Sequence, residues 1–229
     1  MAIQRTKLAD RILPSYTNGE EIFNMVSHIV GGAIGLAALV LCIVFSAIGG
    51  DPYSLASSIV YGLSIVLLFT MSSVYHGLKT DISKKVMQIL DHCTIFILIA
   101  GTYTPFALAA IRRVNAVVGW TLFGVVWGVA ALGIVLNAID LKSFKKFSLA
   151  CYVGLGWCIV FTLGYLIEAI GIAGFAYLAA GGIAYTVGAV LYAVGGKGNH
   201  KYMHSVFHLF VVAASILHFI SVFFYAIQW

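Results

Sequence analysis

The sequence predicts an all-α integral membrane protein, a bundle of seven transmembrane helices. Of its 229 residues, 62% are hydrophobic and only 9% are charged, whereas soluble domains are close to half apolar and a quarter charged. Seven apolar stretches follow one another with short connections, and each is long enough to cross a bilayer at about 20 residues per crossing. None shows the alternation of polar and apolar residues that is typical of a barrel strand. Helices are therefore expected, because they pair all their backbone amides within the hydrocarbon.

The seven predicted spans take up nearly the whole chain. They lie at about residues 22–48, 55–77, 86–110, 114–137, 147–167, 172–194 and 204–228. The first run is too long for the core of a signal peptide and follows a polar segment, so it is interpreted as a span. No repeat or linker divides the chain. We therefore expect one transmembrane domain at residues 21–229, preceded by a cytoplasmic segment at residues 1–20.

The basic residues predict the orientation of the chain in the membrane. Arg112 and Arg113 lie between the third and fourth predicted spans, and the other eleven of the thirteen Lys and Arg lie on the opposite side. Those eleven are Arg5, Lys7, Arg11, Lys79, Lys84, Lys85, Lys142, Lys145, Lys146, Lys197 and Lys201. The positive-inside rule then places the N-terminus in the cytoplasm and the C-terminus outside, in a multi-pass protein of the cell membrane. Because these charges are scattered through short loops, we expect no nucleic-acid partner.

Three local patterns bear on helix packing and on the cysteines. Gly31 with Gly35, and Gly124 with Gly128, have the small-xxx-small spacing that lets membrane helices approach closely. Pro105 lies inside the third predicted span, where it should kink the helix and free backbone carbonyls that neighbours must satisfy. The four cysteines contain no CxxC pair, which argues against a redox motif or a thiolate metal site.

Four ionisable side chains are predicted to meet near the cytoplasmic face. His76 ends the second span, Asp91 lies about five residues into the third, and His204 and His208 open the seventh. His204 and His208 are spaced i, i+4, which puts both imidazoles on one helix face. Three histidines with an open fourth position are typical of catalytic Zn²⁺, and Asp91 could bond a water molecule there. Structural polar packing without a metal is the alternative.

Two further groups of polar residues lie at the same depth. Ser72 precedes His76 by one turn, so its hydroxyl could orient the imidazole or bind near the metal, or could bond its own helix backbone. Glu21, Asn24 and His28 form a polar stripe on the first span. We interpret the stripe as hydrogen-bonding between helices or behind the metal ligands, with a helix-dipole role for Glu21 as the alternative.

One more histidine lies deep in the seventh span. His218 is about 21 Å along the helix from His204, which is too far for the two to share an ion. We therefore interpret His218 as a core histidine whose polar atoms are satisfied.

The segments that carry these residues form a recognisable set. They are EIFNMVSH at 21–28, SSVYH at 72–76, DH at 91–92 with AGTYTP at 100–105, and HSVFHLFVVAASILHF at 204–219. In this order they resemble the haemolysin III family, the bacterial branch of the progestin and adiponectin receptor superfamily, which is similar to the alkaline ceramidases. The resemblance implies seven helices with a cytoplasmic N-terminus, and zinc held by His76, His204 and His208. It also implies that Asp91 contacts the water on the metal and that Ser72 lies beside the site.

The leading functional hypothesis is a zinc-dependent intramembrane hydrolase of a lipid amide or ester, with a membrane lipid as substrate. Asp91 would take a proton from water, and the metal with Ser72 would stabilise the oxyanion. The alternative is a non-catalytic membrane sensor or receptor with structural zinc. A haemolysin-type pore is the third possibility, although the sequence has neither repeats nor a ring of charges. No protein partner is indicated.

Overall fold

A computed structural model of the chain describes residues 6–79, 81–195 and 201–227, and these residues form helices and no strand. Within them, five helices are long and apolar enough to cross a membrane. These are Asn18–Gly49, Pro52–Gly77, Ile82–Val114, Ala116–Gly195 and Met203–Ala226. Arg5 and Lys197, which contribute to the orientation argument, lie outside the described residues. The all-helical prediction therefore holds for the described ranges, whereas the seven crossings and the orientation of the termini stay predictions.

The helices are labelled in chain order by their regular parts. They are α1 (Asn18–Gly49), α2 (Pro52–Gly77), α3 (Ile82–Thr104), α4 (Arg112–Val114), α5 (Ala116–Trp157), α6 (Leu163–Gly195) and α7 (Met203–Ser221). A π-helix at Pro105–Ile111 joins α3 to α4, a 3-10 helix at Cys158–Thr162 joins α5 to α6, and a π-helix at Val222–Ala226 follows α7.

Helix α1 begins at a capping box that involves the segment preceding it. The Thr17 hydroxyl accepts a hydrogen bond from the Glu20 amide at 3.3 Å, and the Glu20 carboxylate accepts one from the Thr17 amide at 2.9 Å. Both donors would otherwise lack a partner at the start of the helix. The cap fixes where Glu21 and the rest of the polar stripe enter the bundle.

The helical stretch Ala116–Gly195 is far too long for one crossing. Its 80 residues would extend about 120 Å as a straight helix, roughly four times the thickness of the hydrocarbon core. The backbone leaves helical geometry at Asp140 (φ −158°, ψ 97°) and at Gly171 (φ 68°, ψ 172°). Both breaks coincide with predicted loops, and the positive φ at Gly171 suits a residue without a Cβ.

Pro105 changes the helix type at the end of α3. Because proline has no N–H to donate, the regular hydrogen-bond ladder cannot continue, and the chain passes into the π-helix Pro105–Ile111. Next to the change, the Thr104 hydroxyl donates to the Ala100 carbonyl at 2.8 Å and accepts a hydrogen bond from the Trp127 indole at 3.1 Å. The predicted distortion of this span is therefore present as a π-helix. The Thr104 hydroxyl is bonded to a backbone carbonyl beside it.

One of the two predicted glycine contacts is present and the other is wrong. A Cβ on Gly31 would lie 2.6 Å from the Phe69 ring, and one on Gly35 would lie 2.5 Å from Ile65, so α1 and α2 pack closely there. A Cβ on Gly124 or Gly128 would meet no described atom within 4 Å. The i, i+4 spacing puts two glycines on one helix face but does not determine whether another helix covers that face.

Candidate metal centre

Three histidines from two helices point their Nε2 atoms at one another. His76 lies in the last turn of α2, and His204 and His208 lie in the first turns of α7. The Nε2 atoms of His204 and His76 are 3.3 Å apart, and those of His208 and His204 are 3.0 Å apart. Nitrogens 2.0–2.1 Å from a tetrahedral zinc ion would be about 3.3 Å from one another. The three side chains could therefore hold a metal ion.

A carboxylate contacts the nitrogen of His76 that faces away from the other two histidines. Glu21 Oε2 lies 2.6 Å from Nδ1 of His76, and Glu21 Oε1 accepts a hydrogen bond from Lys84 Nζ at 2.7 Å. Lys84 Nζ also donates to the Leu78 carbonyl at 2.9 Å. When Nδ1 donates to a carboxylate, the Nε2 lone pair is free for a metal. The expected hydrogen bond between helices is thus present for Glu21, and Lys84 joins it although the sequence indicated only a topological role for that lysine.

The rest of the polar stripe on α1 lies beside His208. The His28 ring stacks on His208 with centroids 3.7 Å apart and planes 16° from parallel. His28 and Asn24 are buried, and none of their side-chain nitrogen or oxygen atoms has a hydrogen-bond partner among the described residues. His28 does not belong to the group of three potential ligands. The stripe therefore lies along one side of the three clustered histidines. Its residues Asn24 and His28 have unpaired polar atoms there.

The segment before α1 covers the histidines. The Tyr16 ring stacks on His204 with centroids 5.1 Å apart and planes 15° from parallel. Burial, and secondarily nearby Tyr192, raise the pKa of the Tyr16 phenol, so the ring stays neutral. At its other end the segment is bound to the break in α5, where the Thr6 amide donates to the Asp140 carboxylate at 2.9 Å and Arg11 lies 4.0 Å from it. We call residues 6–16 the N-terminal strap.

Asp91 and Ser72 lie beside the histidines on the wall of a cavity of about 200 Å³. The Asp91 side chain is 14% exposed, and its Oδ2 is 3.8 Å from Nδ1 of His92. The Ser72 hydroxyl lies near the Asp91 carboxylate, whereas the sequence indicated that it could orient His76, bind near the metal or bond its own helix. Asp91 is not one of the three potential ligands. Its carboxylate could therefore accept a proton or a hydrogen bond from a molecule in the cavity.

Most of the cavity is apolar. Beyond the polar end its walls come mainly from α3, α5, α6, α7 and the segments that join them, and include Ile95, Phe106, Phe175, Leu178, Phe207 and Val211. From Asp91 to Phe106 the lining extends about 22 Å by the helical rise. A long apolar space with convergent polar groups at one end suits a molecule with a polar head and a hydrocarbon chain.

Comparison with known proteins agrees with these features. The family model described as haemolysin-III related matches residues 16–219. The chain belongs to the haemolysin III family. Hemolysin-3 from Bacillus cereus is 36% identical over 208 residues, which cover 91% of this chain and 92% of that protein. A hemolysin-3 homolog from Bacillus subtilis (strain 168) is 34% identical over 213 residues, which cover 93% of this chain and 97% of that protein.

More distant relatives of this haemolysin III protein occur in animals. The monocyte to macrophage differentiation factor of Homo sapiens is 23% identical over 208 residues, which cover 87% of this chain and 79% of that protein. No solved structure matches the chain. Family membership together with the long apolar helices identifies a multi-pass protein of the cell membrane. The matched range contains the three histidines, Glu21, Asp91 and Ser72.

Proposed function

We propose that the chain is a zinc-dependent intramembrane hydrolase that cleaves an amide or ester bond of a membrane lipid. One observation carries the proposal: Asp91, a carboxylate outside the group of potential ligands, shares a cavity wall with His204 and His208. The remaining wall of that cavity is mostly hydrocarbon. A lipid could place its carbonyl at the polar end and its acyl chain along the apolar part.

The donor set favours zinc over other metals. All three donors are imidazole nitrogens, and three histidines with an open position are the ligand set of catalytic zinc. Cysteine thiolates are not part of the group, and a hard oxygen cage for calcium or magnesium is not formed by it. When bound, zinc supplies Lewis acidity, which activates water and polarises a carbonyl at neutral pH.

The protein's own residues have separate roles in this scheme. Asp91 accepts a proton from the attacking water molecule and returns it to the leaving amine or alkoxide, so that the amide or ester and water become a carboxylic acid and an amine or alcohol. Ser72 donates a hydrogen bond to the oxygen on which negative charge develops. Glu21 keeps the His76 ring in the orientation and tautomer that present Nε2 to the metal.

The expected topology agrees with a lipid substrate. We propose seven crossings with a cytoplasmic N-terminus, because the breaks at Asp140 and Gly171 separate the stretch Ala116–Gly195 into three helical pieces. The positive-inside rule then puts the histidines at the depth of the inner leaflet. The carbonyl of a phospholipid or sphingolipid lies near that depth, so the substrate could enter without leaving the membrane.

The test uses the purified full chain in lipid nanodiscs. Zinc content and fatty-acid release from a fluorescent N-acyl lipid and a fluorescent O-acyl lipid are measured for the wild type and for Asp91→Asn. We expect Asp91→Asn to keep its zinc and to lose activity by about 10²–10⁴-fold. Asp10→Asn is the matched control, because Asp10 is exposed in the N-terminal strap. If Asp91→Asn hydrolyses both lipids as fast as the wild type, Asp91 is not the base. If the wild type holds zinc but hydrolyses neither lipid, a sensor with structural zinc is favoured.

A further inference from the structure

A second polar point lies on the cavity wall, far from the three clustered histidines. His218 follows His208 by ten residues on α7, so the two are about 15 Å apart along the helix axis. His218 is 8% exposed and lines the cavity. The sequence indicated a core histidine whose polar atoms are all satisfied. The structure satisfies only one of its two nitrogens.

The hydrogen bond of His218 fixes which nitrogen carries the proton. Nε2 lies 3.1 Å from the Leu178 carbonyl oxygen. A carbonyl can only accept, so Nε2 is the donor and Nδ1 of the neutral ring keeps a bare lone pair. Nδ1 is buried and has no hydrogen-bond partner among the described residues. A buried acceptor without a donor is unfavourable, so a donor from outside the described chain is expected there.

One edge of the His218 ring is held tightly by its packing. A Cβ on Gly181 would overlap with Cδ2 and Nε2 of His218, so that edge of the ring is pressed against α6. Nδ1 lies on the other side of the ring. The hydroxyls of Tyr185 and Ser215 are bonded to each other at 2.7 Å. The Tyr185 ring lines the same cavity, with its centroid 5.3 Å from that of His218.

The chemistry of Nδ1 limits what it can bind. A lone-pair acceptor attracts neither a carboxylate nor a phosphate, because both offer further lone pairs when ionised. An ammonium group could donate, but its charge would be expensive to desolvate between apolar walls. A neutral hydroxyl is the donor that fits a mostly hydrocarbon space.

We infer that His218 is a second recognition point, which accepts a hydrogen bond from a hydroxyl group in the middle of an acyl chain. The inference rests on the proposed function, since it assumes that a lipid places its carbonyl end at the metal centre. The separation of about 15 Å along α7 between His208 and His218 then puts His218 opposite the middle of a long chain. The ligand class is a hydroxylated fatty acyl group.

The test compares fatty acids that differ only in one hydroxyl. Stearic acid, 12-hydroxystearic acid and 2-hydroxystearic acid displace a fluorescent fatty acid from the full chain in nanodiscs. We expect the 12-hydroxy acid to bind about tenfold more tightly than stearic acid. The 2-hydroxy acid controls for polarity, because its hydroxyl stays beside the carboxylate and cannot reach His218. His218→Leu should remove the preference for the 12-hydroxy acid and leave the affinity for stearic acid within about twofold.

Tyr185→Phe is the matched variant, since it breaks the neighbouring hydroxyl pair without changing Nδ1 of His218. It should keep the preference for the 12-hydroxy acid. The comparison of acids in the wild type decides the inference even if His218→Leu does not fold. Equal affinities for stearic and 12-hydroxystearic acid would overturn this inference alone and assign Nδ1 to a trapped water molecule. Failure of all three acids to bind would overturn the proposed lipid hydrolase as well.

Discussion

The Glu21 carboxylate lies 2.6 Å from Nδ1 of His76 and joins α1 to the end of α2. The same carboxylate receives Lys84 Nζ from α3 at 2.7 Å. Lys84 is buried, and its positive charge offsets the negative charge that Glu21 brings to the cluster. Three helices are therefore connected behind one imidazole whose other nitrogen faces the two remaining histidines.

Glu21→Gln should weaken metal binding without removing a ligand. The amide keeps the size of the side chain but loses the negative charge that makes His76 a stronger metal ligand. We expect zinc affinity to fall by about 10–100-fold, which is the usual effect of losing such a partner. Competition with a chromophoric chelator measures it. Glu168→Gln is the control, because Glu168 is exposed, and unchanged affinity in Glu21→Gln would mean that the carboxylate does not act through His76.

Tyr16 should slow the escape of the metal. Of the three clustered histidines, His204 is the one that is only half-buried, and the Tyr16 ring covers it. Tyr16→Ala removes this cover, so we expect loss of zinc to excess chelator to be roughly tenfold faster. Tyr16→Phe keeps the stacked ring and should behave as the wild type. The idea of a cover is wrong if the alanine and phenylalanine variants lose zinc at the same rate.

Asp140 should hold the N-terminal strap in place. Besides the Thr6 contact, its carboxylate accepts hydrogen bonds from the amides of Lys142 at 3.0 Å and Ser143 at 3.3 Å, so it also caps the next helical piece. Asp140→Ala removes both functions and should cost about 0.5–2 kcal/mol from the cap alone. Limited trypsin digestion should then cut after Arg11, which is buried in the wild type, much faster than before.

Asp140→Asn separates the two functions of that carboxylate. An asparagine oxygen can still cap the helix, whereas the charge that faces Arg11 is lost. We expect intermediate protection of Arg11 against trypsin. Equal cleavage in the wild type and in Asp140→Ala would show that the strap is held by its other contacts.

Two glycines of α5 should respond oppositely to the same substitution. A Cβ on Gly133 would overlap with the Phe96 ring, so Gly133→Ala should cost about 1–3 kcal/mol through overpacking. Gly128 faces open space, so Gly128→Ala should be neutral or should stabilise the helix by up to about 1 kcal/mol. Thermal unfolding in detergent compares the two variants. A lower melting temperature for Gly128→Ala than for Gly133→Ala contradicts this packing.

Helical geometry made the three histidines predictable from sequence. His204 and His208 share a face because of their i, i+4 spacing. We expect His76 to meet them because spans that alternate in direction would bring every second loop to one end of a bundle. The breaks at Asp140 and Gly171 were predictable for a related reason, since a bilayer limits the length of an apolar helix.

Other parts of the centre depend on which helix faces meet, and that is not encoded in local spacing. Lys84 carries the same kind of charge as its half-buried neighbour Lys85, and only the packing of α3 against α2, which itself packs on α1, turns Lys84 toward Glu21. Tyr16 follows no periodic pattern, because it precedes the first helix. The contact between Thr6 and Asp140 joins residues 134 positions apart.

Elemental analysis of the purified chain tests the metal centre most directly. We predict about one zinc ion per chain in the wild type and in His218→Ala, whose altered side chain is about 15 Å from His208 along α7. His208→Ala should contain almost none, because it loses one of three ligands. Equal and near-zero zinc in the wild type and in His208→Ala would contradict the account.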